Sequence, residues 1–125
     1  MKQKTKLDSV KDIPVERGSS STDVWIVLLA DAGDYALYLN KSGGYFSGFE
    51  VHKIRFQKAR TCNIHGTVFD VPDRRVIASS EEFGRYGWHV QSLKMVFRDY
   101  PIFLQYESQI NDKLALERAK LDGVI

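Results

Sequence analysis

Disulfides are the first thing this chain lacks. Its single cysteine, Cys62, has no partner within the sequence, which excludes the cross-linked scaffold of a small secreted domain and points to a reducing compartment. Long apolar runs are missing too. The longest, "VWIVLLA" at residues 24–30, falls far short of the roughly 20 residues of a membrane-spanning helix. The opening stretch "MKQKTKLDSVKDIPVERGSSSTD" has lysines but no apolar segment of signal-peptide length. A soluble, cytoplasmic protein without membrane contact is therefore expected. No phosphate-cradling glycine loop, dinucleotide fingerprint or zinc-protease motif occurs, nor does any internal repeat.

A strong excess of one charge is also absent: 18 Lys/Arg stand against 16 Asp/Glu. A domain built around duplex backbone contact is usually much more basic. The balance hides a pattern, however. Residues 51–100 carry nine Lys/Arg against five Asp/Glu, whereas residues 19–50 carry one against four. The middle of the chain is its basic part, which permits nucleic acid without demanding it. With 125 residues, 43% of them hydrophobic, the chain suffices for one domain with a true core.

Residues 1–22 read as a flexible basic arm. Lysines alternate with polar residues, Pro14 interrupts, and "RGSSST" resembles a linker. The single folded domain then spans 23–125. Residues 24–30 are apolar on both faces, as a central strand would be. "DAGD" at 31–34 and "KSGG" at 41–44 supply turns, so 24–44 forms a hairpin or meander. In "YFSGFEVHKIRFQKAR" at 45–60 the apolar side switches near His52 and Lys53, which asks for a bulge, a bend or a change of covering layer. "TVFDVPDRRVIAS" at 67–79 reads as a hairpin turning at Pro72, with "DRR" at 73–75 as a cationic tip. Beyond Ser80 the period becomes helical. Leu93, Val96, Phe97 and Tyr100 share one face, with Ser92 as N-cap and Pro101 suited to open the next helix. Phe103, Tyr106, Ile110, Leu114 and Leu121 continue the helical spacing to Gly123. The expected fold is α+β: a meandering, mostly antiparallel sheet of about five or six strands with C-terminal helices on one face.

The chemistry-bearing candidates cluster in two stretches. In "SSEEFGRYGWHV", Glu81 and Glu82 suit a helix start, Gly84 a stop, and "RYGWHV" an edge strand. The same stretch offers Phe83, Arg85, Tyr86 and Trp88 as a stacking-and-cation surface, which suits single-stranded nucleic acid because every base has a π-face. In "VHKIRFQKAR", Lys53 and Arg55 alternate to one face, with Lys58 and Arg60 on the other. They would meet phosphates if the fold joins them to the rings. A solvated basic face is the plainer reading of that strand. Cys62 and His65 have a C-x-x-H spacing, but zinc needs about four ligands and no second cluster exists. Neither a metal nor a cofactor is expected. A Cys62–His nucleophile pair is the one catalytic arrangement available, and nothing else asks for an enzyme. The last helix covers the sheet or pairs with its copy in a homodimer, leaving monomer and dimer both open.

The segments "FEVHKIRFQKAR" and "VIASSEEFGRYGWHV", within residues 45–97, resemble short proteins without settled activity encoded on bacterial phages, plasmids and other mobile elements. The resemblance implies an accessory role in such a setting and carries over no site residue. The leading expectation is a non-enzymatic nucleic-acid-binding protein. The alternative is a protein–protein module, an inhibitor or assembly factor, using the same aromatic surface or the last helix.

Overall fold

A computed structural model of the chain describes residues 5–6, 12–19, 21–71 and 73–123. Among them, ten strands come first in order: β1 (Thr5–Lys6), β2 (Glu16–Ser19), β3 (Val24–Asp31), β4 (Tyr35–Ser42), β5 (Tyr45–Lys53), β6 (Arg55–Gln57), β7 (Arg60–Ile64), β8 (Thr67–Val71), β9 (Arg74–Val76) and β10 (Gly87–Val90). Helix α1 (Leu93–Asp99), a 3-10 stretch (Pro101–Tyr106) and helix α2 (Glu107–Leu121) close the chain. The class is α+β.

The body is a five-stranded antiparallel sheet in the order β10-β5-β4-β3-β2. β3 and β4 occupy its middle, which explains why apolar residues fill both of their faces. On one face Leu29, Leu37, Leu39 and Val51 pack against Val96, Phe103 and Ile110 of the C-terminal segment. Ser92 caps α1, its Oγ accepting from Met95 N–H at 3.2 Å. Pro101 begins the 3-10 stretch, which runs directly into α2. Among the described residues, no helix is long and apolar enough to cross a membrane.

Docking of α2 also uses polar groups. Between Leu28 and Ala30 the β3–β4 register shifts, leaving a bulge. Gln109 Nε2 donates to the Leu29 carbonyl at 3.0 Å, and Lys113 Nζ donates to the Leu28 carbonyl at 3.1 Å. One turn further on, Glu117 accepts from Lys41 Nζ of β4 at 2.8 Å. These three residues are spaced by four, so one line along α2 reaches the sheet beside the apolar stripe.

The opposite face is covered by chain rather than by helices. Ile13, Ile26, Ala36, Tyr38 and Ile77 form a second buried cluster there. Tyr38 donates its hydroxyl to the Pro14 carbonyl at 2.6 Å, and burial pushes that phenol's pKa well above its ordinary value.

The remaining strands form a ribbon. β6 pairs with β9 and β7 with β8, both antiparallel, and the register that matches Arg55 to Val76 also matches Ile64 to Thr67. The two ladders therefore follow one register as a single hairpin with eight strand residues per side, interrupted near Ala59, whose N–H donates to Asp73 Oδ1. The turn at the end is His65–Gly66, with φ of 50° and 81°, the left-handed pair of a two-residue hairpin loop. β1 adds to β8 in parallel.

Three expectations are corrected here. The hairpin does not turn at Pro72, which lies outside the described residues. Residues 67–71 and 74–76 follow one another along the same side of the ribbon, because His65–Gly66 supplies the positive φ angles a tight hairpin needs. Arg74 and Arg75 consequently sit at the ribbon's base, not at a tip. The strand read over 45–60 breaks at Ile54, where the chain leaves the body sheet for the ribbon, and this accounts for the switch of apolar side. Finally, part of the expected flexible arm is structured. Residues 16–19 form the edge strand β2, where Trp25 lies so close over Gly18 that a Cβ there would meet its ring at 2.4 Å. Residues 1–4, 7–11 and 20 of that arm lie outside the described residues.

Candidate functional site: the ribbon base and the adjoining cavity

The segment 79–90 connects both candidate regions. Ser79 opens a 3-10 turn, Ser80–Glu82. Its N–H and Oγ both donate to Glu82 Oε1, at 3.0 and 3.1 Å. The other Glu82 oxygen pairs with Arg55 Nη2 at 2.5 Å. These contacts hold the Glu82 carboxyl below its ordinary pKa, the Ser79 N–H foremost and Arg55 adding to it. Gly84, at φ 92°, makes the stop, and β10 then joins the sheet edge against β5.

At the ribbon base, four of the sequence candidates meet. The Arg55 guanidinium lies over the Tyr86 ring at 4.3 Å, and that of Arg85 lies 5.4 Å from the same ring. Lys53 is exposed beside them, its N–H donating to the Tyr86 carbonyl at 2.8 Å. Arg55 Nε is buried without a hydrogen-bond partner among the described residues; its guanidinium meets the ring face instead. Further along the ribbon, Lys58 and Arg60 are exposed, and no ion pair engages either among the described residues. The outer ribbon is exposed from Arg60 to Thr67 except at Cys62.

Two candidates are drawn elsewhere. Trp88 pairs with Val51 across the β10–β5 ladder, so it faces the helices, and its ring lies 6.3 Å from that of Tyr100. It takes no part in the ribbon-base cluster. Phe83 turns the other way. Its ring meets His52 edge-on at 5.4 Å and lies against His89 at 4.6 Å, tilted 34°.

Phe83 and His89 belong to a cavity of about 470 Å³ on the helix-free face of the sheet, also lined by Arg17, Ile26, Glu50 and Ala78. Glu50 and His52 are both buried. Asn40 Nδ2 donates to Glu50 Oε2 at 2.8 Å, and the ring Nε2 of His52 lies 2.9 Å from Oε1. The Ala78 N–H donates to His52 Nδ1 at 3.1 Å. That bond leaves Nδ1 without a proton, so Nε2 carries one and donates it to Glu50. Sequence reasoning passed over Glu50. The signal was present: Glu50 and His52 are two apart in a strand whose alternate residues, Phe49 and Val51, are apolar.

The catalytic alternative gains no geometry. No hydrogen bond links Cys62 to a histidine among the described residues, and His65 sits in the exposed ribbon turn. No group of three or more His, Cys, Asp or Glu is placed to hold a metal ion among the described residues. No protein-family model, curated protein or solved structure matches the chain.

Proposed function

We propose that this protein is a non-enzymatic nucleic-acid-binding accessory protein of a bacterial phage or other mobile element, acting in the cytoplasm on single strands. The observation that carries the reading is the convergence at the ribbon base, where the guanidinium groups of Arg55 and Arg85 lie against the Tyr86 ring and exposed Lys53 is bonded to Tyr86 through its backbone. Guanidinium planes resting on an aromatic ring can stack a base on their outer side while neutralising its phosphate. Lys58 and Arg60 are exposed further along the ribbon, where phosphates of a longer strand would meet them. Phosphate contact of this kind releases counterions, so affinity should fall steeply as salt rises.

The test is a salt titration of binding to a labelled oligothymidylate, followed by fluorescence anisotropy. Arg55→Ala with Arg85→Ala should weaken binding and reduce the slope of log affinity against log salt by roughly 1 to 2. Absent binding, or affinity indifferent to salt, would overturn the reading. The protein–protein alternative keeps a specific support in Phe56, 77% exposed on the ribbon, and Ile64, 50% exposed near its end, an apolar surface that a folded partner would cover.

A further inference from the structure

The ribbon base leaves the cavity beside it unused. Its volume, about 470 Å³, lies in the range of small-molecule sites. Among the described lining residues Glu50 is the one buried ionisable group, and the carboxylate does not hang free. Asn40 holds one oxygen and His52 the other, with His52 itself fixed by the Ala78 N–H. Each carboxylate oxygen can accept a further hydrogen bond. A carboxylate so fixed in the wall of an open cavity calls for a ligand that brings donors, because an acceptor left unmatched on binding would cost affinity. The Phe83 and His89 rings form one wall, which suits a flat ligand. Arg17 contributes a cation to the same lining, which suits an anionic substituent.

Flat, donor-edged and anion-bearing together describe a nucleotide, and the donor edge narrows the base. Guanine presents two adjacent donors, N1–H and the 2-amino group, spaced to meet both oxygens of one carboxylate. Adenine sets its amino group beside a bare ring nitrogen, and cytosine does likewise. Thymine flanks its one N–H with carbonyl oxygens, which the carboxylate would repel. We propose that the cavity takes a guanine base, with Glu50 accepting from N1–H and the 2-amino group and Arg17 meeting the phosphate. The base comes either from a free guanine nucleotide or from a strand held at the ribbon base. Only the second source rests on the nucleic-acid reading. The loop 80–86 makes it reachable, since Ser80 and Phe83 line the cavity while Glu82 and Tyr86 contact Arg55.

The experiment titrates the full chain with 5′-GMP and 5′-AMP by calorimetry. Beside these, anisotropy compares oligothymidylates carrying a single central dG or dA. Binding of GMP about tenfold or more tighter than AMP is expected, the discrimination of one good bidentate contact. Glu50→Gln removes one acceptor oxygen and should abolish the preference. Because Gln at this buried position also disturbs the contacts of Asn40 and His52, Thr22→Trp serves as the second variant. Thr22 is exposed and lines the cavity, so a large ring there should fill the cavity and abolish the preference at an unchanged thermal midpoint. A preference for GMP without one for dG supports the cavity and assigns it to free nucleotide; a preference for both assigns it to a strand as well. Salt-dependent strand binding with no guanine preference in either assay overturns this proposal and leaves the ribbon reading intact. Guanine preference without salt-dependent binding does the reverse. A preference that survives Thr22→Trp overturns the assignment to this cavity.

Discussion

Gly87 shows how one small residue positions the aromatic wall. It is buried at the start of β10, and a Cβ built on it would come within 2.9 Å of Ala78 Cβ and 3.1 Å of the Phe83 ring. Neither neighbour can move freely, because the Ala78 N–H holds His52 and the Phe83 ring is wedged against His52 and His89. Gly87→Ala should therefore destabilise the protein by about 1–3 kcal/mol, the usual cost of overpacking, measured by urea unfolding. It should also shift the Phe83 and His89 ring proton resonances, since the ring is what must give way. A stability change below a few tenths of a kcal/mol would mean the contact relaxes cheaply. In the sequence this glycine sat within "RYGWHV" as an ordinary strand residue. The close approach that demands it comes from Ala78 and Phe83, a contact no local pattern displays. Glu50 stood in a visible pattern, two residues from His52 on a strand with Phe49 and Val51 on its other face, but its burial was not visible. A charged residue on a strand ordinarily faces water, and only the return of residues 77–83 over this face buries it.

Among the elements, the ribbon is tied to the body through Arg75. Its guanidinium reaches Asp31 of β3 with two bonds, at 2.6 and 2.9 Å, and Asp12 with two more, at 2.7 and 2.8 Å. Those hydrogen bonds from Arg75 hold both carboxyls below their ordinary pKa of 3.8, and in return raise that of Arg75. A carboxyl with a depressed folded-state pKa favours the fold when ionised. Its contribution is complete above the unfolded value and disappears as pH falls from there through the folded value. The thermal midpoint should thus decline below about pH 4. In Arg75→Gln that acid decline should be shallower, because the carboxyls lose the donor that depressed them; an equally steep decline would assign the acid sensitivity to other groups. The helix α2 makes a comparable tie. Lys113→Ala removes the donor to the Leu28 carbonyl at the β3 bulge and should cost about 1–2 kcal/mol in urea unfolding. The apolar stripe of α2 was legible from its helical spacing, and so were the β3–β4 meander and the Ser92 cap. The polar line of Gln109, Lys113 and Glu117 was not, since its partners are carbonyls exposed by a bulge and a lysine on another strand.

At the scale of the whole molecule, the chain divides into a body closed on both faces and a ribbon that leaves it at Ile54 and returns at Val76. The class and the order of the C-terminal helices could be read from the change of period after Ser80. The ribbon could not, because its register depends on pairing residues up to 21 apart, Arg55 with Val76, and Pro72 advertised a nearer turn. This division makes the proposed role separable from the fold. Gln57 and Arg74 are directly paired, and Arg74 Nε also donates to Gln57 Oε1 at 2.7 Å. An Asn-Gly turn joining them in place of residues 58–73 should close β6 on β9 in a two-residue loop. The Arg75 tie, the Arg55–Tyr86–Arg85 cluster and the cavity all lie outside the deletion, so the thermal midpoint should change little. Two cations without an ion pair among the described residues, Lys58 and Arg60, leave with the ribbon, along with the β7–β8 ladder. If the ribbon lies along the phosphates, the salt slope for oligothymidylate should fall by about 1.4, the two lost cations at a rate near 0.7 per phosphate contact on a single strand. The stacking contribution at Tyr86 should persist as weaker, less salt-sensitive binding. An undiminished slope would confine the nucleic acid to the ribbon base and leave the outer ribbon, with its exposed Ile64, as a surface for a protein partner.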